Sequence, residues 1–155
     1  LHNINLIVRV TADCPLIQGK IIDEMLSEYM KNNYNCFMSN TGIVSSIPYS
    51  YGTDIEIFPY WMLAETRQLT KNKSQLEHVT PFMYRRSTEY SIRSFKNCKP
   101  NTMISTKFDD FSFDTSEDLV LIKEITKKYD IHGDLDHAIR ETNVHINSWK
   151  KKDGK

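Results

Sequence analysis

Apolar residues crowd into Leu6-Ile-Val-Arg-Val-Thr-Ala-Asp-Cys-Pro15, a run rich in β-branched side chains that stops at an acid and a proline. A run of this kind without strict alternation predicts a strand buried on both faces, because a half-exposed strand alternates apolar with polar. Pro15 lacks a ladder donor and biases Cys14 toward extended backbone, so pairing ends there and Asp13 falls at the strand's carboxyl end. Open α/β sheets bind ligands at that rim. Asp13 is thereby either a group that holds a hydrated cation against a phosphate or a simple turn former. Over residues 18–32, Ile21, Ile22, Met25, Leu26, Tyr29 and Met30 recur at helical spacing between charged residues, which predicts an amphipathic helix packed on the sheet. Residues 36–39 form a short second strand that ends on Asn40, and residues 41–51 read as a polar loop of the length used by binding segments.

The alternation returns in Thr53-Asp-Ile-Glu-Ile-Phe58, which sets Ile55 and Ile57 on one side of a strand and Asp54 and Glu56 on the other. Two carboxylates on one face are ordinarily the solvated side of an edge strand. Pro59 suits the first turn of a helix that runs to Leu69 with Leu63 and Ala64 inward. Two helix starts then compete. Ser74 and Glu77 have capping-box spacing, whereas Thr80-Pro81 offers an N-cap followed by a first-turn proline. A proline inside the first helix would break it, so the second start is preferred, with Glu77 and His78 in a loop or short turn. Residues 91–96 resemble a polar strand, 97–101 a turn, and 102–106 and 108–113 further short strands. Thr115 and Asp118 then form a capping box ahead of a helix whose apolar positions are Leu119, Ile122, Ile125 and Tyr129. Asp114 thus lies between a strand end and a helix start, repeating the setting of Asp13. A last helix is expected over 135–142, and a frayed tail over 150–155.

Composition narrows the options. A chain of 155 residues is the size of one domain with a substantial core. Its 20 basic residues balance 20 acidic ones, so no overall field recruits nucleic acid or an anionic membrane. No apolar run approaches the roughly 20 residues a membrane span needs, and the expected setting is a cytoplasmic one. Cys14, Cys36 and Cys98 are odd in number and widely spaced, which fits reduced thiols better than a disulfide framework or a zinc site. A carboxylate beside Cys14 raises a thiol's pKa, so Cys14 is assigned to packing rather than nucleophilic attack. Arg9 emerges from the first strand and is expected to pair inside the protein.

Four blocks carry a resemblance. Val8-Arg-Val-Thr-Ala-Asp-Cys-Pro-Leu16, Gly52-Thr-Asp-Ile-Glu-Ile-Phe58, Glu77-His-Val-Thr-Pro81 and Phe113-Asp-Thr-Ser-Glu-Asp-Leu119 occur in the order and near the spacing seen in the spore-coat polysaccharide cytidylyltransferase family. Its members are relatives of the CMP-sugar synthetases and acylneuraminate cytidylyltransferases. The resemblance implies an α/β, Rossmann-like nucleotide-diphospho-sugar transferase fold, a mixed but mostly parallel sheet flanked by helices. Residues 1–131 would be the C-terminal part of a cytidylyltransferase domain, and 132–155 a C-terminal helix with a basic tail.

The implied reaction transfers CMP from CTP to a sugar, an acidic nonulosonate among the options, with release of pyrophosphate for surface polysaccharide synthesis. Asp13 and Asp114 align with the family's catalytic, Mg²⁺-binding aspartates. Asn40, Asp54, Glu56, Glu77 and His78 align with the sugar-facing half of its cleft; a structural role is an equal reading for Glu77 and His78, and an internal hydrogen bond that shapes the loop is at least as good a reading for Asp54 and Glu56. The expected partners are nucleotide and sugar substrates. A homodimer is compatible with a sequence that is otherwise silent on subunit number.

Two departures bear on the substrate. Ile47-Pro-Tyr-Ser-Tyr-Gly52 lacks the arginine many members carry there, which removes a cation for a sugar carboxylate, and Ser116 replaces the usual proline. The family's Gly-rich triphosphate segment has no counterpart in the chain, which leads straight from Leu1 into its first strand; residues are expected to be missing upstream, and the chain alone is expected to be inactive. The alternatives are a sugar nucleotidyltransferase using another nucleotide, and a non-catalytic sugar-binding or scaffolding module.

Overall fold

The computed structural model describes residues 4–40, 53–95 and 112–128. The elements run β1 (Leu6–Arg9), α1 (Gly19–Lys31), β2 (Phe37–Ser39), β3 (Glu56–Pro59), α2 (Tyr60–Leu69), α3 (Lys73–His78), α4 (Pro81–Tyr84), β4 (Ile92–Ser94) and α5 (Ser116–Lys128). The loop expected over 41–51, the turn over 97–101, the strand over 102–106, the helix over 135–142 and the proposed division at 131 lie outside the described residues. Of the strand expected over 108–113, only residues 112 and 113 are described, and neither is in a strand.

The four strands form one mixed sheet in the order β1-β3-β2-β4. β3 runs antiparallel to both β1 and β2, and β2 runs parallel to β4. The expectation of a mostly parallel sheet is therefore corrected for the described strands, where two pairings of three are antiparallel. The reason lies in β3, whose alternation fixes which side chains share a face but not the direction of the strand. Inserted between β1 and β2, it reverses the pairing on both of its edges.

Alternation along the strands sorts side chains into two cores. Val8, Met38, Ile55 and Ile57 face α1, where Met25 and Tyr29 are buried, while Ile7, Phe37 and Phe58 face α2 and α4, where Met62, Phe82 and Met83 are buried. Helices thus cover both faces, and the stacked rings of Phe37 and Phe58, 5.9 Å apart, sit at the centre of the second layer. Each such side chain taken fully from water contributes roughly 1.5–3 kcal/mol. Met30, expected inward, is exposed at the end of α1.

Several boundaries move for physical reasons. β1 ends at Arg9 and is only half-buried, not sealed on both faces. It stops where its partner does, since β3 begins at Glu56. Pro59 is the N-cap of α2 rather than its first residue. Both competing helix starts are used: Asn72, not Ser74, caps α3 by accepting from the N–H groups of Ser74 and Gln75, and Pro81 opens α4. The chain escapes the steric conflict by breaking at Val79, which takes φ 67° and ψ −58°. Glu77 and His78 consequently close a short helix rather than occupying a loop.

Candidate functional site at the sheet rim

The carboxyl ends of β1, β2 and β4 and the amino end of β3 share one rim, because β3 is the strand of opposite direction. Registration carries a row of side chains straight across it: Arg9 opposes Glu56, Glu56 opposes Ser39, and Ser39 opposes Ser94. Two residues further into the sheet on the same face, the row is Ile7, Phe58, Phe37 and Ile92. The face that packs on α2 and α4 thus turns from wholly apolar to wholly polar in one pleat. Ser94 Oγ is buried with no hydrogen-bond partner among the described residues.

Asp13 lies beyond this row, four residues past the end of β1. The N–H of Cys14 donates to the Thr11 carbonyl at 3.1 Å, and the Thr11 hydroxyl donates to Cys14 Sγ at 3.2 Å, closing a tight turn. Cys14 and Leu16 are buried while Asp13 between the turn's ends is exposed, so the anchored flanks throw its carboxylate outward. Burial pushes the Cys14 thiol above its ordinary value, opposed by the Thr11 hydroxyl and the Asp54 backbone, while the Asp54 and Asp13 charges push it further. That environment suits packing, as expected for Cys14, and it places Asp54 against the Asp13 turn.

Asp114 reaches the same corner. The N–H of Phe113 donates to the Asp13 carbonyl at 2.7 Å, which joins two segments a hundred residues apart in the chain. Asp114 is exposed and accepts from the Ser112 hydroxyl at 2.9 Å. Behind it stands the expected capping box. Asp118 Oδ2 accepts from the N–H groups of Asp114 and Thr115 and from the Thr115 hydroxyl, and the Asp118 N–H donates to that hydroxyl in return. These donors, the Thr115 hydroxyl first, hold the Asp118 carboxyl below the usual aspartate range. The box fixes the start of α5 immediately after Asp114.

The remaining residues divide by what their polar atoms already hold. Asn40 is fully buried; its Nδ2 donates to the Thr53 carbonyl at 2.9 Å and its Oδ1 accepts from the Ile55 N–H at 2.7 Å, so it extends the β2·β3 ladder with a side chain. Glu56, on a face whose alternation alone suggests solvation, is only 5 % exposed, and its carboxylate makes internal hydrogen bonds, the other reading of that residue. Its Oε2 accepts from Arg9 Nη1 at 2.6 Å and its Oε1 from the Thr80 hydroxyl at 2.9 Å. Burial raises the Glu56 carboxyl above its ordinary value, against the pull of Arg9 and Thr80. Arg9 is paired internally, as its place on the strand suggested. Glu77 and His78 are exposed at the end of α3.

Sequence reasoning missed two features. One is the polar row, since Ser39 and Ser94 meet only through strand register. The other is Thr80, whose place before Pro81 predicts a cap on α4; no cap bond forms, and the hydroxyl turns to Glu56. Its N-cap position carried no signal of that choice.

Among the described residues no group of three or more His, Cys, Asp or Glu side chains is placed to hold a metal ion. Asp13 and Asp114 offer two exposed carboxylates on adjoining segments. An oxygen-only set of one or two carboxylates, completed by water and phosphate, is the kind of ligation that hard divalent cations such as Mg²⁺, Ca²⁺ or Mn²⁺ take.

The class defined by these features is an α/β protein with helices on both faces of a mixed sheet and an acidic, solvent-open rim. The chain belongs to the cytidylyltransferase family, whose sequence profile matches residues 1–146. It is 28 % identical over 127 residues to an uncharacterised protein of Methanocaldococcus jannaschii, a match covering 82 % of this chain and 48 % of that protein. A solved cytidylyltransferase from Leptospira borgpetersenii serovar Hardjo-bovis shares its fold with a TM-score of 0.76 at 24 % identity, over 94 % of this chain and 58 % of that one. The chain thus spans about half the length of the curated relative it matches. Family membership supports nucleotidyl transfer as the general chemistry. No helix among the described residues is long and apolar enough to cross a membrane.

Proposed function

We propose that the protein works in the transfer of CMP from CTP to a sugar hydroxyl, in the manner of the CMP-sugar synthetases and for surface polysaccharide synthesis. The sugar oxygen attacks the α-phosphorus, the bond to the bridging oxygen of the β-phosphate breaks, and pyrophosphate leaves. Such displacement asks the protein for alignment and charge neutralisation rather than covalent chemistry. The observation that carries the reading is the Phe113–Asp13 hydrogen bond, which sets the two acidic segments side by side in a chain of this family.

In this reading Asp13 and Asp114 hold Mg²⁺, which when bound neutralises phosphate charge. Asp54 lies against the same turn, and Glu77 and His78 stand exposed to meet sugar hydroxyls. Asn40 and Glu56 act one step back, since their polar atoms already hold the chain. The substrates CTP and sugar are the proposed partners, with the cytoplasm as the site of action.

Pyrophosphate release by the full-length protein, measured with CTP, Mg²⁺ and a panel of sugars, tests the reading. Asp13→Asn and Asp114→Asn are each expected to lower the rate by at least about a hundredfold, the scale on which one electrostatic group acts in a transition state, with thermal unfolding unchanged. Near-normal rates in both variants would overturn the assignment. Competition among the four nucleotides decides whether cytidine is the base selected.

A further inference from the structure

Val79 is the least comfortable residue of the described backbone. Its φ of 67° and ψ of −58° belong to a γ-turn of the rare, strained hand, closed by the Thr80 N–H on the His78 carbonyl at 2.8 Å. A β-branched side chain makes that region costlier still. Such geometry persists only where neighbouring structure over-determines it.

The holding contacts come from both sides. Upstream, Asn72 caps α3 and the Val79 N–H donates to the Gln75 carbonyl at 3.0 Å. Downstream, Pro81, Phe82 and Met83 are buried against the sheet. Between them, among the described residues, the Thr80 side chain ties the turn to the rim through Glu56, whose other oxygen is taken by Arg9. A hydrogen bond to an ionised carboxylate is among the stronger ones available. Both Glu56 oxygens therefore have partners within the protein, and the same carboxylate joins β1, β3 and the start of α4. The exposed pair Glu77 and His78 lies immediately before the turn that this clasp holds.

We infer that Thr80, Glu56 and Arg9 are positioning residues: a buried clasp that keeps the Val79 turn in its strained form and thereby aims Glu77 and His78 at the acceptor side of the rim. This rests on the reading above, in which Glu77 and His78 meet the sugar. The clasp itself touches no substrate.

The test uses the full-length protein with Thr80→Val, which keeps the branched shape and deletes the hydroxyl, and Thr80→Ser, which restores it. Amide hydrogen exchange at residues 76–80 is followed without substrate, and steady-state kinetics with CTP and acceptor. Thr80→Val is expected to speed exchange at Val79 and Thr80 and to raise KM for the acceptor by about tenfold, the scale of one hydrogen bond to a charged group. KM for CTP stays at its original value, and Thr80→Ser returns both readouts to within about twofold. A raised acceptor KM with unchanged exchange would mean that the hydroxyl meets substrate directly, and faster exchange with unchanged KM would mean a purely structural tie; either overturns the inference. Should Thr80→Val not fold, Glu56→Gln keeps an acceptor for Thr80 while weakening the hold on Arg9, and the same pair of changes is expected at smaller size; wild-type values for both overturn the clasp. Absence of turnover in the unaltered protein counts against nucleotidyl transfer itself, whereas the exchange experiment still reports on the turn.

Discussion

Two hydrogen-bonded corners frame the rim, and they are built on opposite principles. The corner at Thr115 and Asp118 is local and exposed: Asp114, Thr115 and Asp118 satisfy one another at the start of α5, with three donors on one carboxylate oxygen. The corner at Arg9, Glu56 and Thr80 is long-range and buried, with partners 47 and 24 residues apart on two strands and a helix start. Water competes for the first at every moment and reaches the second only past the partly exposed Arg9, since Glu56 and Thr80 are buried. The lesson is one of asymmetry: a solvated carboxylate that loses a partner finds another in water, while a buried one does not.

The sharpest way to break the comparison is Arg9→Ala, which leaves the Glu56 charge buried and uncompensated. Denaturant unfolding should show a loss of about 3–5 kcal/mol, and the loss should depend on pH. Glu56 already titrates above its ordinary value because of burial, and without Arg9 it rises further. A raised folded-state value gives stability that is complete below the unfolded value and is lost as pH rises through the folded one. The deficit of Arg9→Ala should accordingly be largest near neutrality and shrink as pH falls toward about 4.3, the ordinary value of a glutamate. A deficit independent of pH would show that Glu56 does not carry the effect.

Thr80→Val comes next, removing one bond to a charged group, and is expected to cost about 1.5–3 kcal/mol by the same measurement. The local corner should yield less. Thr115→Ala is expected to cost about 1 kcal/mol, the usual size of a lost N-cap, with faster amide exchange confined to the first turn of α5. A loss equal to that of Arg9→Ala would remove the distinction between the corners.

The smallest effect carries the opposite sign in pH. Asp118 is held below the ordinary aspartate value by the Thr115 hydroxyl first, then by backbone N–H groups. Its contribution is complete above the unfolded value, about 3.9, and is lost as pH falls through the lowered one. Acid should therefore loosen the start of α5 while relieving the clasp. The amide shift of Thr115 followed through an acid titration should change below pH of about 3.9 in the original protein and change less in Asp118→Asn, where the neighbouring Glu117 carboxyl, also held low, still titrates.

The sequence by itself determined whatever depends on neighbours within a helical turn or along one strand. The spacing of Ile21, Met25 and Tyr29 gave α1, the alternation of Ile55 and Ile57 gave the inward face of β3 and of the residue leading into it, and Thr115 with Asp118 gave the start of α5. The turn at Asp13 and the cap beside Asp114 were legible for the same reason, whereas the pairing of the two acids as a proposed metal site came from the family resemblance. Tertiary structure alone decided strand direction, the row from Arg9 through Glu56 and Ser39 to Ser94, and the choice of Thr80 between capping α4 and binding Glu56. Helix and strand periods are short-range properties written in side-chain order, whereas register and burial depend on which distant segment arrives alongside. Glu56 shows the difference within one residue: alternation fixed the face it occupies, and only the arrival of Arg9 and Thr80 from distant segments gave its buried carboxylate partners.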